Sequence, residues 1–216
     1  MHKGRQQRLN LKEMNNLCLY GASGHGKVVA EIAKRSNREI SCFFDDNSQV
    51  ASIMEVPVKS PESIENYIEE NSFLIAIGNN EIRKRISSKI SANYALLVDP
   101  TAILRDSVKV GLGSVVMSGV IMNAETVVGD HCIINSGAII EHECIIGDFS
   151  HISPGATITG NVKIGEGTHV GANSVVIPNV TIGNWVTIGA GAVIIEDIPD
   201  YAVVVGNPGR IIKYNK

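Results

Sequence analysis

The sequence predicts two consecutive domains, a small Rossmann-like α/β domain and a parallel β-helix of hexapeptide repeats. The strongest observation is an apolar stripe with a period of six residues, which runs without a break from Leu104 to Ile194. The second is the alternation of short apolar segments with helical patterns before it. We expect the α/β domain over residues 15–95 and the β-helix with a C-terminal cap over 96–216, after a disordered or tag-like arm at 1–14.

The period of six distinguishes the second domain from helices and from ordinary strands. A helix places apolar residues three and four apart, and a half-buried strand places them two apart. Six is the period of a hexapeptide β-helix, in which each hexapeptide forms one side of a triangular coil, so that the stripe gives roughly five coils. The inward-pointing positions are Leu104, Val110, Val116, Met122, Val128, Ile134, Ile140, Ile146, Ile152, Ile158, Ile164, Val170, Val176, Ile182, Ile188 and Ile194.

Two further positions of the hexapeptide follow a rule. The residue two places before the large one is usually small or β-branched, as in Cys132 and Ala138, which suits a tight coil interior. Gly often follows the large residue, as in Ile146-Gly147. We expect Gly or Asn to adopt the unusual backbone angles at the corners of each coil.

The first domain is predicted to alternate strands and helices, which implies a small parallel sheet. Its length suits a mononucleotide better than a dinucleotide. The expected elements are a strand at Leu17–Tyr20, a glycine turn at Gly21–Gly26, a helix at Lys27–Arg35, a strand at Ile40–Phe44, a helix from Pro61 to about Glu69 capped by Ser60, a strand at Phe73–Ile77, a helix from about Glu81 to Ile90 and a strand at about Ala95–Val98.

The glycine turn is a candidate phosphate site, since the N-terminus of the following helix offers free N–H groups. Its spacing is Gly-x-x-Gly-x-Gly, which differs from the dinucleotide pattern, so a plain strand-to-helix turn explains it equally well. Asp45 and Asp46 follow the second strand, where a carboxylate could accept hydrogen bonds from a ribose or a base. A solvated turn is the alternative for these two residues.

Composition and charge exclude several classes of protein. A net charge of −3 argues against a nucleic-acid partner, and no apolar run is long enough to cross a bilayer. Residues 1–14 carry basic side chains without an apolar core, so we expect an arm, or a start assigned too early, rather than a signal peptide. Four Cys without a Cys-x-x-Cys pair predict a reduced, cytoplasmic protein without structural zinc.

Four histidines interrupt the repeat and are the candidate reactive residues. They are His131, His142, His151 and His169. Histidine is the usual general base near neutral pH, and carboxylates flank His142 on both sides. His142 and His151 fall at outward-facing or corner positions, where they would meet most easily across a groove between subunits. A surface or structural role is the alternative for each, and their spacing lacks the short pair of a metal site, so no metal is expected.

The chain resembles the hexapeptide-repeat acyltransferases, and within them the two-domain sialic acid O-acetyltransferase family. The motifs that carry the resemblance are Tyr20-Gly-Ala-Ser-Gly-His-Gly-Lys27, Phe44-Asp45-Asp46, Ala76-Ile-Gly-Asn-Asn-Glu-Ile-Arg83 and Ile140-Glu-His-Glu-Cys-Ile-Ile-Gly-Asp-Phe-Ser-His151. The resemblance implies a left-handed β-helix that forms a homotrimer and binds acetyl-CoA between subunits. No part of it covers residues 1–14.

The resemblance also implies catalytic roles for individual residues. His142 corresponds to the general base, Glu143 to its acidic neighbour and Asn135 to a polar residue of the same groove. His151 corresponds to the residue that hydrogen-bonds the acetyl carbonyl, and the N–H of Gly160 corresponds to the oxyanion donor. An amine is a good nucleophile once deprotonated, so these groups would suffice without a metal.

Two further sets of residues are implied to bind the substrates. The later coils, from about Gly160 to Ala190, and the segment from Gly206 to Arg210 would border acetyl-CoA, with Ala172 and Ala190 as contacts. The nucleotide sugar would be held by the α/β domain through Gly24, His25, Gly26, Asp45 and Asp46.

The hypothesis that follows is an acetyl-CoA-dependent N-acetyltransferase, which acetylates the 4-amino group of a UDP-linked amino-dideoxysugar of the bacillosamine type. The alternatives within this class are O-acetylation of sialic acid and N-acetylation of another nucleotide sugar, such as GDP-perosamine. A non-catalytic scaffold or sugar-nucleotide-binding regulator would leave His142 without a role. A nicotinamide oxidoreductase would leave the repeat unexplained.

Overall fold

The structure, a computed structural model, describes residues 16–47 and 50–215, so the predicted arm at 1–14 lies outside the described residues. The first domain contains strands β1 to β5 and helices α1 and α2. Its elements are β1 (Asn16–Tyr20), α1 (Gly24–Arg35), β2 (Glu39–Phe44), β3 (Ser52–Ile53), β4 (Val56–Lys59), a 3₁₀ helix (Pro61–Asn66), β5 (Ser72–Ile75) and α2 (Asn80–Ser87).

The sheet of the first domain has the order β3-β4-β2-β1-β5. Strands β1, β2, β4 and β5 run parallel, and β3 is antiparallel to β4. The β3–β4 hairpin was not predicted, because its strands are short and lack a clear alternation of apolar residues. Helix α1 lies on one face of the sheet, where its buried side chains pack beside Leu19 and Phe43.

Several predicted boundaries of this domain were wrong. Helix α1 begins at Gly24, so Gly24, His25 and Gly26 form its first turn instead of a separate loop. The segment after Pro61 is a 3₁₀ helix of six residues and not an α-helix to Glu69, although the Ser60 side chain caps it as expected. The strand predicted at Ala95–Val98 is a two-residue strand, β6 (Leu97–Val98), and it pairs with the β-helix.

The second domain is a parallel β-helix, which confirms the predicted fold class. Its strands β7 to β22 have two residues each, and strands three apart in the series pair in parallel, as Ile121 does with Ile139. They form three sheets of six, five and eight strands, the last of which includes β6 and the closing strands β23 (Ala202–Val205) and β24 (Arg210–Tyr214). The repeat strands are Ile103–Leu104, Lys109–Val110, Val115–Val116, Ile121–Met122, Val127–Val128, Ile133–Ile134, Ile139–Ile140, Ile145–Ile146, His151–Ile152, Thr157–Ile158, Lys163–Ile164, His169–Val170, Val175–Val176, Thr181–Ile182, Thr187–Ile188 and Val193–Ile194.

The sixfold stripe forms the core of the β-helix, as predicted. Every stripe residue from Val116 to Ile194 is buried, and so is the smaller residue two places before each of them. The stripe residues stack in columns because each strand pairs in register with the strand one coil away. Burying an aliphatic side chain of this size contributes roughly 1.5–3 kcal/mol. The repeated core therefore makes the β-helix a rigid support for the side chains at its corners.

Gly and Asn adopt left-handed backbone angles at many corners of the coils, as expected. These corners lie three places after the large residue, and several larger residues also stand there, including Glu143 and Trp185. The Gly that directly follows the large residue is required for a different reason, which is lack of space for a side chain. A Cβ on Gly147 would lie 2.7 Å from the backbone nitrogen of Glu166 and 2.8 Å from the carbonyl carbon of Gly165, so a side chain would collide with the next coil.

The α/β domain packs on the outer face of the eight-stranded sheet. Outward-facing Val115 and Ile133 of this sheet join the apolar cluster beneath α1. At the end of α1, Arg35 pairs with the buried Asp99 carboxylate at 3.1 Å, and the Ser36 hydroxyl donates to the Val98 carbonyl. These contacts hold the C-terminal end of α1 against the first strand of the eight-stranded sheet.

Candidate functional site

His142 lies at the corner of the β-helix that follows the strand Ile139–Ile140. Its Nδ1 is 2.9 Å from Oε2 of Glu143, and both side chains are more than half exposed. A carboxylate only accepts hydrogen bonds, so this contact places the imidazole proton on Nδ1 and leaves the Nε2 lone pair free. Glu143 has a left-handed backbone (φ 60°), as do the equivalent residues of most other corners.

Gly160 occupies the same corner one coil later and lies directly against the imidazole. A Cβ on Gly160 would be 2.6 Å from Nε2 of His142, so only glycine fits without moving the ring. Among residues 16–47 and 50–215, the N–H of Gly160 has no hydrogen-bond acceptor. The structure thus brings together a basic nitrogen and a free backbone donor, two groups that the sequence placed eighteen residues apart.

His151 lies on the eight-stranded sheet, beneath the α/β domain. The expectation that it is outward-facing is correct, but its ring is largely covered and only partly exposed to solvent. Burial lowers its pKa to about 3, with further lowering from His169, Arg83 and His25. His151 stacks on His169 with ring centroids 4.8 Å apart, and His169 contacts the Ser153 hydroxyl at 2.8 Å.

Asn135 contacts Nε2 of His151 through its amide nitrogen, at 3.0 Å. The orientation of this amide is fixed, because its oxygen accepts from the Ser136 N–H at 2.8 Å. An amide nitrogen only donates, so Nε2 of His151 accepts and the imidazole proton lies on Nδ1. In this arrangement Nε2 cannot donate to an acetyl carbonyl, and that role for His151 would require Asn135 to move away.

The N-terminus of α1 faces the same region. Gly26 is required by packing, since a Cβ there would lie within 2.1 Å of the Gly21 carbonyl oxygen. Gly24 has no such neighbour, because its Cβ position has no atom within 4 Å. The Ser23 side chain does not cap the helix, so the first N–H groups of α1 are open to a ligand. His25, in this first turn, is mostly buried, and burial together with the charge of Arg83 lowers its pKa to about 4.

The two aspartates after β2 have different roles. Both carboxylate oxygens of Asp45 accept from the main chain, from Ala22 at 2.6 Å and from Asn47 at 2.8 Å, so Asp45 shapes the turns. Asp46 is exposed and accepts from the Tyr20 hydroxyl at 3.3 Å. It borders a cavity of about 440 Å³, a volume in the range of small-molecule sites. The cavity is lined by Tyr20, Asp46, Pro61, Glu62, Ile64, Glu65, Arg85, Ile86, Lys89 and Ile90.

The two alanines expected to contact acetyl-CoA lie at another corner. Ala172 and Ala190 follow strands of the eight-stranded sheet, and the N–H of Gly191 donates to the Ala172 carbonyl. His142 and Gly160 follow strands of the six-stranded sheet. One subunit therefore does not bring the two sets together.

The sequence interpretation placed His169 next to His151 from their eighteen-residue spacing, and the stacked rings confirm it. It missed Ser153 and Arg83 as members of the region around His151. Among the described residues, no group of three or more His, Cys, Asp or Glu side chains is arranged to hold a metal ion. No helix in residues 16–47 or 50–215 is both long and apolar enough to cross a bilayer.

Comparison with known proteins places the chain in a class. Residues 16–90 match the model of the PglD N-terminal domain, and residues 125–160 and 161–196 match the bacterial transferase hexapeptide model of six repeats. The fold and these matches define a hexapeptide-repeat transferase with a PglD-type N-terminal domain.

Individual relatives narrow the class to a family. The chain is 38% identical to the acetyltransferase domain of PglB from Neisseria gonorrhoeae FA1090, with 92% of this chain and all of that chain covered and a TM-score of 0.86. The same domain has been solved with acetyl coenzyme A. The PerB structure from Caulobacter crescentus in complex with CoA and GDP-perosamine is 32% identical, with 92% and 97% covered and a TM-score of 0.88.

A UDP-N-acetylbacillosamine N-acetyltransferase from Bacillus subtilis (strain 168) is 38% identical over 113 residues, which are 49% of this chain and 52% of that protein. The match thus spans about half the length of this relative. The chain belongs to the PglD-like family of two-domain hexapeptide-repeat acetyltransferases.

Proposed function

We propose that the chain is an acetyl-CoA-dependent N-acetyltransferase that acts on the 4-amino group of a UDP-linked amino-dideoxysugar. The observation that carries the proposal is the His142–Gly160 pair, in which a base with a free Nε2 lies against a free backbone N–H. Relatives with this fold are named nucleotide-sugar N-acetyltransferases and bind CoA. Among the described residues, no Ser or Cys pairs with His142, so direct transfer is favoured over a covalent acyl-enzyme.

The reaction would form one bond and break one bond at the carbonyl carbon of the thioester. The sugar amine attacks the acetyl carbonyl, a C–N bond forms, and Nε2 of His142 accepts the proton that the amine loses. The N–H of Gly160 stabilises the negative charge on the carbonyl oxygen. The carbonyl then re-forms, the C–S bond breaks, and the leaving sulfur of CoA takes the proton from the His142 imidazolium, so that the base is neutral again. Glu143 keeps the proton of His142 on Nδ1 and stabilises the imidazolium that forms.

The acceptor would lie along the carboxyl edge of the α/β sheet. The first N–H groups of α1 are suited to a diphosphate, and the open space at Gly24 leaves room for it. The nucleoside would extend into the cavity bordered by Tyr20 and Asp46. His25 and His151 are largely buried and uncharged at neutral pH. They therefore favour hydrogen bonds to uncharged groups of the ligand, away from its diphosphate.

A homotrimer is part of the proposal. Ala172 and Ala190 lie at a different corner from His142 and Gly160, so one acetyl-CoA could touch both sets only between two copies of the chain. Sedimentation equilibrium of the free protein should give three times the chain mass of 23.1 kDa. A monomer that is fully active would contradict this part. We also retain the prediction that the protein is cytoplasmic.

The decisive experiment is an acceptor panel with release of the CoA thiol as the readout. UDP-, GDP- and dTDP-linked 4-amino-dideoxysugars and free sialic acid would each be tested with acetyl-CoA. We expect the UDP-linked amino sugar to have the highest kcat/KM. A preference for GDP-perosamine would support the second candidate, which the PerB complex favours. Absence of thiol release with every acceptor would favour a scaffold or regulator.

A further inference from the structure

One corner of the β-helix carries a column of aromatic side chains. It is the corner that precedes each strand of the eight-stranded sheet, and its left-handed positions are held by Gly113, His131, Phe149, Gly167, Trp185 and Tyr201. At the other two corners of the described coils, the left-handed positions hold only Gly, Asn or Glu. A bulky side chain at a positive φ is strained. The concentration of rings at one corner therefore points to a use for them.

The first two rings of the column are covered by the α/β domain. The His131 ring lies between those of Phe149 and Tyr94, with centroids 5.1 Å and 4.4 Å away. Arg83 on α2 donates hydrogen bonds to the carbonyls of His131 and Phe149, both at 2.7 Å. These two rings therefore have a structural role, because they form part of the contact between the domains.

The last two rings of the column border open cavities instead. Trp185 is partly exposed and lies over Gly167, where a Cβ would be 2.5 Å from three atoms of the indole. Tyr201, at the same corner of the next coil, is 48% exposed. A cavity of about 360 Å³ has a lining that includes Asn79, Glu81, Trp185 and Asn215. A smaller cavity of about 160 Å³ is lined by Glu81, Trp185, Tyr201 and Asn215. The two cavities share three residues, so we treat them as one groove.

Polar groups without a protein partner surround the indole. Within residues 16–47 and 50–215, no hydrogen bond or ion pair involves the Trp185 Nε1, the Asn79 Nδ2, the Asn215 Oδ1 or the Glu81 carboxylate. Both amides are nevertheless held in orientation. Oδ1 of Asn79 accepts from the Ile82 N–H at 2.9 Å, and Nδ2 of Asn215 is directed at the Trp185 carbonyl and a threonine hydroxyl. The groove thus presents two free donors and two free acceptors to a ligand.

The charges around the groove favour an uncharged ligand. Among the described residues that line the two cavities there is no Lys or Arg, and the Glu81 carboxylate would repel a phosphate. The ammonium of Lys84 lies 5.3 Å from the centroid of the Trp185 ring and is paired with Glu166. The position that a cationic ligand would take at this ring is therefore already occupied.

We propose that the groove beside Trp185 and Tyr201 is a binding site for a neutral saccharide. The hydroxyl groups of a pyranose both donate and accept hydrogen bonds, as the free groups here require, and its C–H face suits the partial negative charge on the face of an aromatic ring. The larger cavity is in the size range of small-molecule sites and would hold one sugar ring, with a second beside Tyr201. His142 and Gly160 lie at another corner of the coil, so the inference does not depend on the proposed acetyl transfer.

The test uses the fluorescence of Trp185, which is the only tryptophan of the chain. Maltose, cellobiose and N,N′-diacetylchitobiose would each be titrated into the full-length protein, with sorbitol and UMP for comparison. At least one disaccharide should change the emission saturably, with a Kd of about 1–10 mM, as expected for a small ligand held by a few hydrogen bonds. Sorbitol, which has hydroxyl groups but no ring, and UMP, which carries a phosphate, should not change it.

Two variants and a matched control locate the site. Tyr201→Ala should weaken disaccharide binding about tenfold and leave glucose binding unchanged, because only the second sugar unit would contact this ring. Glu81→Ala should weaken both about tenfold, through loss of a charged acceptor. The control is Tyr214→Ala, since Tyr214 is another tyrosine of the closing strands, is 55% exposed and lines neither cavity. It should leave every Kd unchanged.

Three outcomes would overturn the inference. The first is no saturable change with any disaccharide up to about 50 mM, several times the expected Kd. The second is an equal loss of affinity in Tyr214→Ala and Tyr201→Ala. The third is a response to UMP that Tyr201→Ala abolishes, which would identify a nucleotide site. The unsubstituted protein alone decides the first outcome, so the test does not require that every variant folds.

Discussion

The imidazole of His142 lies against the backbone of Gly160, one coil further along the β-helix. The position that a Cβ would occupy on Gly160 is 2.6 Å from both Nε2 and Cε1 of the ring. The pair is a product of the eighteen-residue coil, since the two residues occupy equivalent positions of successive turns. The coil thus brings the nitrogen proposed as the base and the N–H proposed as the oxyanion donor to one corner.

Gly160→Ala should lower kcat about 100-fold, because the new methyl group displaces the His142 ring and shields the N–H of residue 160. Gly160 does not have a left-handed backbone, so alanine adds no torsional strain there. The melting temperature should stay within a few degrees of the original. Steady-state assay of thiol release and a thermal melt check both parts. An unchanged kcat would separate Gly160 from the chemistry.

His142→Ala should lower kcat by about 10²–10⁴-fold, the usual contribution of a general base. Acetyl-CoA binding, measured by calorimetry, should change little, because in the proposed mechanism the ring contacts the reacting amine and not the nucleotide of CoA. Near-normal turnover of His142→Ala would contradict the proposed base.

Glu143→Gln should lower kcat less than His142→Ala does, by about tenfold. The amide can still contact Nδ1 but no longer stabilises the imidazolium, and the pair is exposed enough for water to screen the charge. The KM for the amino sugar should be unchanged. A rise in KM without a change in kcat would show that Glu143 binds the acceptor and does not support the base.

The fold was largely predictable because the β-helix repeats one local rule many times. Each hexapeptide independently carries a large aliphatic residue at its inward-pointing position, so a few residues that deviate from the pattern do not hide the period. The α/β domain lacks this redundancy, and there the 3₁₀ helix after Pro61 and the hairpin at residues 52–59 were not foreseen.

The site was only half predictable for a physical reason. His142 and Glu143 are neighbours in sequence, and Gly160 follows by one coil, so spacing alone could relate them. Arg83 and His25 approach His151 through the docking of one domain on the other, which no local pattern records. The direction of the Asn135 amide, which decides the tautomer of His151, depends on a single hydrogen bond from Ser136.

Stability should fall as the pH decreases from about 6.5 towards 4. The folded chain keeps His25 and His151 uncharged, with pKa values of about 4 and about 3, whereas in the unfolded chain a histidine has its ordinary pKa near 6.5. The unfolded state therefore binds more protons in this window, and each group adds a slope of up to about 1.4 kcal/mol per pH unit. Urea unfolding at several pH values measures it. His25→Gln should reduce the slope, and an equal slope in this variant and in the unsubstituted protein would contradict the assignment.

The two kinds of corner glycine should differ in their cost when replaced. Gly137 has a left-handed backbone (φ 66°) but open space at its Cβ position, so Gly137→Ala should cost only the torsional strain, about 1–2 kcal/mol. Gly147 has ordinary angles, but its Cβ would collide with the backbone of Gly165 and Glu166, which cannot move without breaking the stacking of two coils. Gly147→Ala should therefore destabilise the chain by clearly more than Gly137→Ala, as measured by urea unfolding. The reverse order would mean that torsion, and not contact between coils, selects glycine after the large apolar residue.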